Sequence, residues 1–179
     1  MKNLGIRSRR WLKGFHVLFS SAWVGAGVSI AIIPLVSGNP IDGGTLYGYN
    51  ASILLVDNFI IIPSAMGCLI TGLLISWLTP WGFFKYWSVI VPGVIAVAAI
   101  VSGIVWLGPW VNDLAAISKA QGLRALQNEE YLQTRQMVAI FGTIQAIALV
   151  LMVFVSIVKP WGRTTKTEEK AEASHVATT

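Results

Sequence analysis

In the stretch SRRWLKGFHVLFSSAWVG, His16 is the one histidine within an apolar run; the other, His175, stands in a polar tail. An ionisable side chain held in hydrocarbon is a functional candidate by default. If this run is helical, His16, Ser20, Trp23 and Gly27 share one face. An imidazole and an indole beside small residues can take a flat porphyrin, so haem is the cofactor that this face suggests. The second axial position would then fall to Met152, to another subunit, or stay open. The competing reading is structural. About five residues into a helix, His16 lies roughly 7 Å deep, and its polar edge would bond a carbonyl or serine of a neighbour. No metal site is expected, since zinc would lack ligands in a chain with one cysteine and two histidines.

Asp57-Asn58 is the second polar point. By rise per residue it should lie level with Ser102 and Gly103, and with Thr143 and Gln145 further along the chain. A carboxylate near lipid is costly, so Asp57 should face the interior of a bundle or the water at its mouth. Two roles are open to this cluster: an interhelical hydrogen-bond clamp, or an outward-facing ligand or proton site. His16 and Asp57 should stand roughly 15 Å apart along the membrane normal, which argues against a compact His–Asp site. No phosphate loop, Ser–His–Asp order or paired-carboxylate motif is present, so no catalytic residue is assigned.

The elements that must position these groups follow from composition. The 179 residues are 55% hydrophobic and 12% charged, against about 25% charged in soluble domains. A spanning helix needs about 20 mostly apolar residues. Four segments qualify: about Trp11 to Val36, Ser52 to Leu78, Tyr86 to Leu107 and Met137 to Val158. The expectation is an all-α, polytopic membrane protein, a four-helix bundle over residues 11–158. A basic segment, residues 1–10, precedes it, and a polar tail, residues 159–179, should be disordered. SGNPIDGG reads as a Pro/Gly-rich loop followed by TLYGYN, and TPWGFFK as a tight turn. The third connection, Pro109 to Gln136, is Ala/Leu/Gln/Glu-rich and should be helical in part. Its apolar spacing is irregular, which argues against a helix lying on the membrane surface.

Ten of the 13 Lys and Arg residues fall on the side of the termini and three on the other. The excess of basic residues in cytoplasmic segments therefore places both termini in the cytoplasm, and no nucleic-acid partner is expected. Seven of the eight tryptophans fall near span ends, where an indole is half buried with its N–H in reach of water; Trp23 alone sits mid-span. Ser8-Arg9-Arg10 resembles the start of a twin-arginine signal. Lys13 breaks the apolar pair that should follow, and no small-residue cleavage site is evident, so the segment reads as a retained anchor. Cys68 reads as a small packing residue. Small residues recur four apart at Ser64 and Cys68, Gly67 and Thr71, Ala99 and Gly103, and Gly142 and Ala146, a spacing that lets helices approach closely. Pro34, Pro63 and Pro92 are expected to kink their spans.

WLKGFHVLFSSAWVGAG and IPSAMGCLITGLLISWLTPWGFFKYW carry a resemblance over roughly Trp11 to Lys159. The matching features are His16, Trp23 and Gly25, then Pro63, Thr71-Gly72-Leu73, Trp81-Gly82 and Lys85. With them the chain resembles the family of predicted bacterial integral membrane proteins called domain of unknown function 2269. That resemblance implies a bacterial cytoplasmic membrane and no defined activity. The start of the first span, Leu12-Lys13, His16 and Trp23-Val24-Gly25, is also similar to the four-helix membrane protoporphyrinogen oxidases and to copper-resistance membrane proteins. Both of those groups use more histidines or metal ligands than this chain contains. The leading expectation is a non-enzymatic accessory or packing protein whose partners are the lipid bilayer and another membrane protein or a second copy. A haem- or porphyrin-linked redox role through His16, with Trp23 beside it, and a small oligomeric transporter using Asp57 are the alternatives.

Overall fold

The computed structural model describes residues 5–36, 38–78 and 86–158. Four long helices account for nearly all of them: α1 (Ile6–Val36), α2 (Gly43–Leu78), α3 (Trp87–Gln127) and α4 (Glu129–Val158). Each is long and apolar enough to cross a bilayer. The turn read over Thr79 to Lys85 and the tail from residue 159 lie outside the described residues. The fold is all-α, a polytopic membrane bundle.

The outer surface is what hydrocarbon requires. Leu18, Ile70, Val94, Ile144, Leu151 and Phe154 are exposed, because lipid solvates them as well as a protein interior would. The interior is built from small residues around one large one. Trp23, 1% exposed, sits among Ala65, Cys68, Ala96, Ala99, Leu149 and Met152. Close approach replaces hydrophobic burial as the source of cohesion here, and the glycines show where. A Cβ on Gly67 would lie 2.6 Å from the Phe19 ring. One on Gly72 would lie 3.3 Å from the His16 ring, so α1 lies directly on the backbone of α2. Gly103 and Gly142 have no such neighbour within 4 Å.

Two helices are too long for the bilayer alone. The 36 residues of α2 would reach about 54 Å against a hydrocarbon core of about 30 Å. The 41 residues of α3 reach further still. Their excess forms a second body at the end of the bundle away from the termini. The start of α2, the Gly108–Gln121 stretch of α3, its 3-10 turn Gly122–Gln127 and the start of α4 pack around Leu46, Leu114, Ala125 and Tyr131. TLYGYN, which follows that loop, is therefore the first helical part of α2. The third connection carries a regular face as well: Val111, Leu114, Ala115 and Ser118 are buried at helical spacing. The irregularity in the sequence came from the exposed side of the same helix.

Local chemistry fixes the ends of this cap. Asp42 caps α2, its carboxylate accepting from the Thr45 N–H at 2.7 Å. That backbone donor holds the Asp42 carboxyl below the usual carboxylate range. Asn128 caps α4 by accepting from the N–H groups of Glu130 and Tyr131 at 2.9 and 3.4 Å. Gly122 turns the chain with φ +55° and ψ −136°, a conformation open in practice to glycine. Gly43 packs on it so tightly that an added Cβ would lie 2.8 Å from the Gly122 Cα.

Between cap and bundle, α2 and α3 each widen into one π-turn, Asp57–Ile61 and Gly103–Leu107. In both, the N–H five residues on bonds the first carbonyl: Ile62 to Asp57, and Gly108 to Gly103. A proline follows each turn at the same spacing, Pro63 and Pro109. Proline has no N–H to give and its ring crowds the carbonyl four residues back. Widening the preceding turn relieves that conflict. The expected kink at Pro63 is thus accompanied by an extra residue in the turn, and Pro109 has the same arrangement.

Candidate functional site

His16 reaches across the interface between α1 and α2, where its Nδ1 lies 2.9 Å from the Thr71 hydroxyl oxygen. One turn further along α1, the Ser20 hydroxyl donates to the His16 carbonyl at 2.7 Å and meets the Cys68 sulfur at 3.1 Å. Residues rising in number on α1 meet residues falling on α2, so these helices are antiparallel. The bare Cα of Gly72 makes room for the ring. Of the face that helical spacing gives His16, Ser20 and Trp23, His16 and Ser20 meet α2 and Trp23 enters the core of the bundle.

The direction of the central bond follows from proton counting. Thr71 has one hydroxyl proton, and two carbonyls of its own helix compete for it, Gly67 at 2.6 Å and Cys68 at 3.2 Å. With that proton on a carbonyl, Thr71 can only accept from His16, so Nδ1 carries the hydrogen. The neutral ring then bears its lone pair on Nε2. A threonine that fixes the tautomer in this way also fixes the ring plane, which is how outer partners orient ligating histidines in metalloproteins.

Trp23 has a different part. It fills the bundle core, with Met152 and Cys68 against it. A porphyrin has no room inside this bundle while the indole occupies it. His16 is half buried, so any large planar group would approach it from the outer surface of the α1–α2 pair. Among the described residues no three His, Cys, Asp or Glu side chains converge on a common point.

Asp57, half buried, opens the π-turn of α2. Asn58 is exposed and its amide donates to the Leu54 carbonyl of its own helix at 3.0 Å. Ser102 ends the α-helical part of α3 just before the second π-turn. Gln145 is half buried on α4. Thr143 is exposed and borders a shallow apolar hollow of about 210 Å³ with Val28, Ile32 and Ala146, on the α1–α4 side. Among the described residues, no side-chain hydrogen bond joins Asp57, Asn58, Ser102, Thr143 and Gln145 to one another.

The interhelical bond near this end is elsewhere. Asn50, 3% exposed, donates from its amide to the Tyr131 hydroxyl at 3.0 Å, with Tyr131 1% exposed. Asn50 precedes the span expected from Ser52 and Tyr131 falls in the polar third connection, so hydropathy marks neither. The usable signal was the cap at Asn128 with Glu129 and Glu130 behind it, which starts a helix in time to bury Tyr131.

The family model described as predicted integral membrane protein (DUF2269) matches residues 10–160. The chain belongs to this family. The match spans all four helices, in agreement with the resemblance read from the His16 and Thr71 segments. No curated protein and no solved structure matches the chain. As a DUF2269 member it is an integral membrane protein, and its surroundings are a lipid bilayer.

Proposed function

We propose that this protein is a non-enzymatic accessory protein of a bacterial cell membrane, whose four helices anchor a helical platform for a membrane-protein partner. Both termini lie in the cytoplasm in this reading, and the platform faces the other side. The observation that supports it is the second core around Leu46, Leu114, Ala125 and Tyr131, built on the ends of helices that also cross the bilayer. A folded body continuous with its anchor holds a fixed orientation to the membrane, which suits a docking role. The test is photo-crosslinking in the native membrane from Lys119 and Arg124, both exposed on the platform. One discrete adduct of constant mass, lost when Leu114→Asp disrupts the platform core, is the expected result. Adducts between copies of this chain alone would refute it. Cysteine labelling of Asp113→Cys and Arg7→Cys in a Cys68→Ser background tests the orientation, with only Asp113→Cys reacting from outside the cell.

A second reading has one observation in its favour. The Thr71 bond leaves the His16 lone pair on Nε2 and holds the ring still. His16 would then hold haem on the outer surface of the α1–α2 pair, since Trp23 fills the interior. Bound haem would supply one-electron chemistry, and His16 would hold it. Protein purified after production with added haem should then carry a Soret band that His16→Ala abolishes. Colourless protein would exclude this reading and leave the first untouched.

A further inference from the structure

The start of α1 carries exposed cations that no described acid faces. Arg7 and Arg10 stand three residues apart, so their side chains are neighbours on the outer face of the helix, and both are exposed. Arg9 lies on the inner side with His16 and is half buried. The five acids among the described residues are Asp42, Asp113, Glu129 and Glu130 of the platform and Asp57 at the π-turn below it. All five are at the other end of the molecule. Trp11 follows Arg10 directly and is 63% exposed; its ring centre lies 6.2 Å from that of Phe15, one turn deeper and 48% exposed. An exposed indole where an apolar span begins marks the boundary between headgroups and hydrocarbon. Arg10 and Arg7 then stand about 1.5 and about 6 Å outside that boundary, in the headgroup layer.

Beneath the arginines the same face is open. Gly14 is four residues from Arg10 and seven from Arg7, and a Cβ built on it would meet nothing within 4 Å. Ser21, which is exposed, and Gly25, equally open, continue the line at helical spacing. Val17 and Leu18, 61% and 60% exposed, flank it. From Gly14 to Gly25 this lane runs about 16 Å, against about 15 Å for the hydrocarbon of one leaflet. We propose that the outer face of α1 binds an anionic phospholipid, its phosphate between Arg7 and Arg10 and one acyl chain along Gly14, Ser21 and Gly25. The guanidinium forks take the phosphate oxygens, and Trp11 and Phe15 flank the start of the chain. Two unopposed cations repel the ammonium of a zwitterionic headgroup, which selects an anionic one. The site rests neither on the platform nor on the His16 bond.

The test follows the thermal unfolding midpoint of the full chain in a mild neutral detergent. The titrants are short-chain phosphatidylglycerol, phosphatidylcholine of the same chains, and inorganic phosphate. Phosphatidylglycerol should raise the midpoint at a lower concentration than phosphatidylcholine. Its apparent affinity should fall about fivefold in Arg7→Gln or Arg10→Gln and about thirtyfold with both changes, while Lys119→Gln, on the platform, keeps it. Gly14→Leu retains every cation and fills the lane, so it should also weaken phosphatidylglycerol binding, and it reports the site even if the arginine variants fold poorly. Equal titrations by the two lipids, or phosphatidylglycerol titrations unchanged in the double arginine variant, would overturn the site. An unchanged titration in Gly14→Leu would overturn the lane. Saturation by inorganic phosphate alone would identify a free anion as the ligand and overturn the lipid assignment. A midpoint shift that appears only in a chain carrying Glu168→Gln, Glu169→Gln and Glu172→Gln would identify the tail as the occupant of this face, and would overturn the lipid assignment too.

Discussion

Thr71→Val replaces a hydroxyl by a methyl of nearly the same shape and tests the His16 bond directly. The Gly67 and Cys68 carbonyls lose only a second donor, because helix amides already serve them. His16 loses its Thr71 partner at 2.9 Å and keeps only a contact with the Cys68 backbone. Leaving a buried N–H unpaired costs about 1–3 kcal/mol. Bonds between membrane helices run lower, about 0.6–1.7 kcal/mol, because the separated helices find other partners. Half burial of His16 favours the lower range, so Thr71→Val should destabilise by about 1 kcal/mol. Thr71→Ser, which keeps the oxygen, should cost less than half of that. Reversible unfolding in mixed micelles gives these numbers, and a double-mutant cycle with His16→Phe isolates the pair. A coupling of about 1 kcal/mol is expected. Strict additivity, or a Thr71→Ser cost equal to that of Thr71→Val, would show that the bond contributes nothing and that the tautomer argument is wrong.

Three further outcomes follow from the packing. Gly67→Ala drives a methyl into the Phe19 ring, 2.6 Å away, and should cost about 1–3 kcal/mol; Phe19→Leu in the same chain should recover part of it in the same unfolding assay. Gly122→Ala forces a side chain onto φ +55°, ψ −136°, a strain of about 1–3 kcal/mol; amide exchange should quicken in the platform and stay slow around Trp23. Asp42 has a lowered carboxyl pKa in the folded chain, so its stabilisation is complete above the unfolded value near 4 and fades as pH falls through the folded one. The protection factor at Thr45, with the intrinsic pH dependence of exchange divided out, should therefore fall on acidification, and Asp42→Ala should remove that dependence; a protection profile identical in the variant would count against the cap.

Much of the architecture was legible because hydrocarbon imposes a simple rule. Apolar runs of bilayer length and clustered interfacial tryptophans are consequences of one-dimensional composition, and the four helices follow them. The platform was harder to see for a physical reason. Its helices continue those of the membrane, so no composition break marks where the platform part of α2 passes into its span or where α3 goes on past Leu107. The pairing of His16 with Thr71 was also hidden, since sequence gives depth but not azimuth. Rise per residue placed Asp57 level with other polar groups, yet height alone does not say which way a side chain turns; Asn58 turns back onto its own backbone. Trp23 was recognised as the exceptional indole, and its burial by small residues explains why it stands mid-span.

The two widened turns have a mechanical consequence. One additional residue advances the azimuth of everything beyond it by about 100°. In α2 this lets Ser64, Cys68 and Thr71 point at one set of neighbours while Leu46, Asn50 and Ile53 point at another. One continuous helix thereby acquires two differently aimed stripes. Deleting a single residue near Phe59 would leave the helix intact and its length nearly unchanged, yet turn the whole upper segment a quarter of a revolution away from its contacts. The phase of these two helices is therefore a property as specific as their composition.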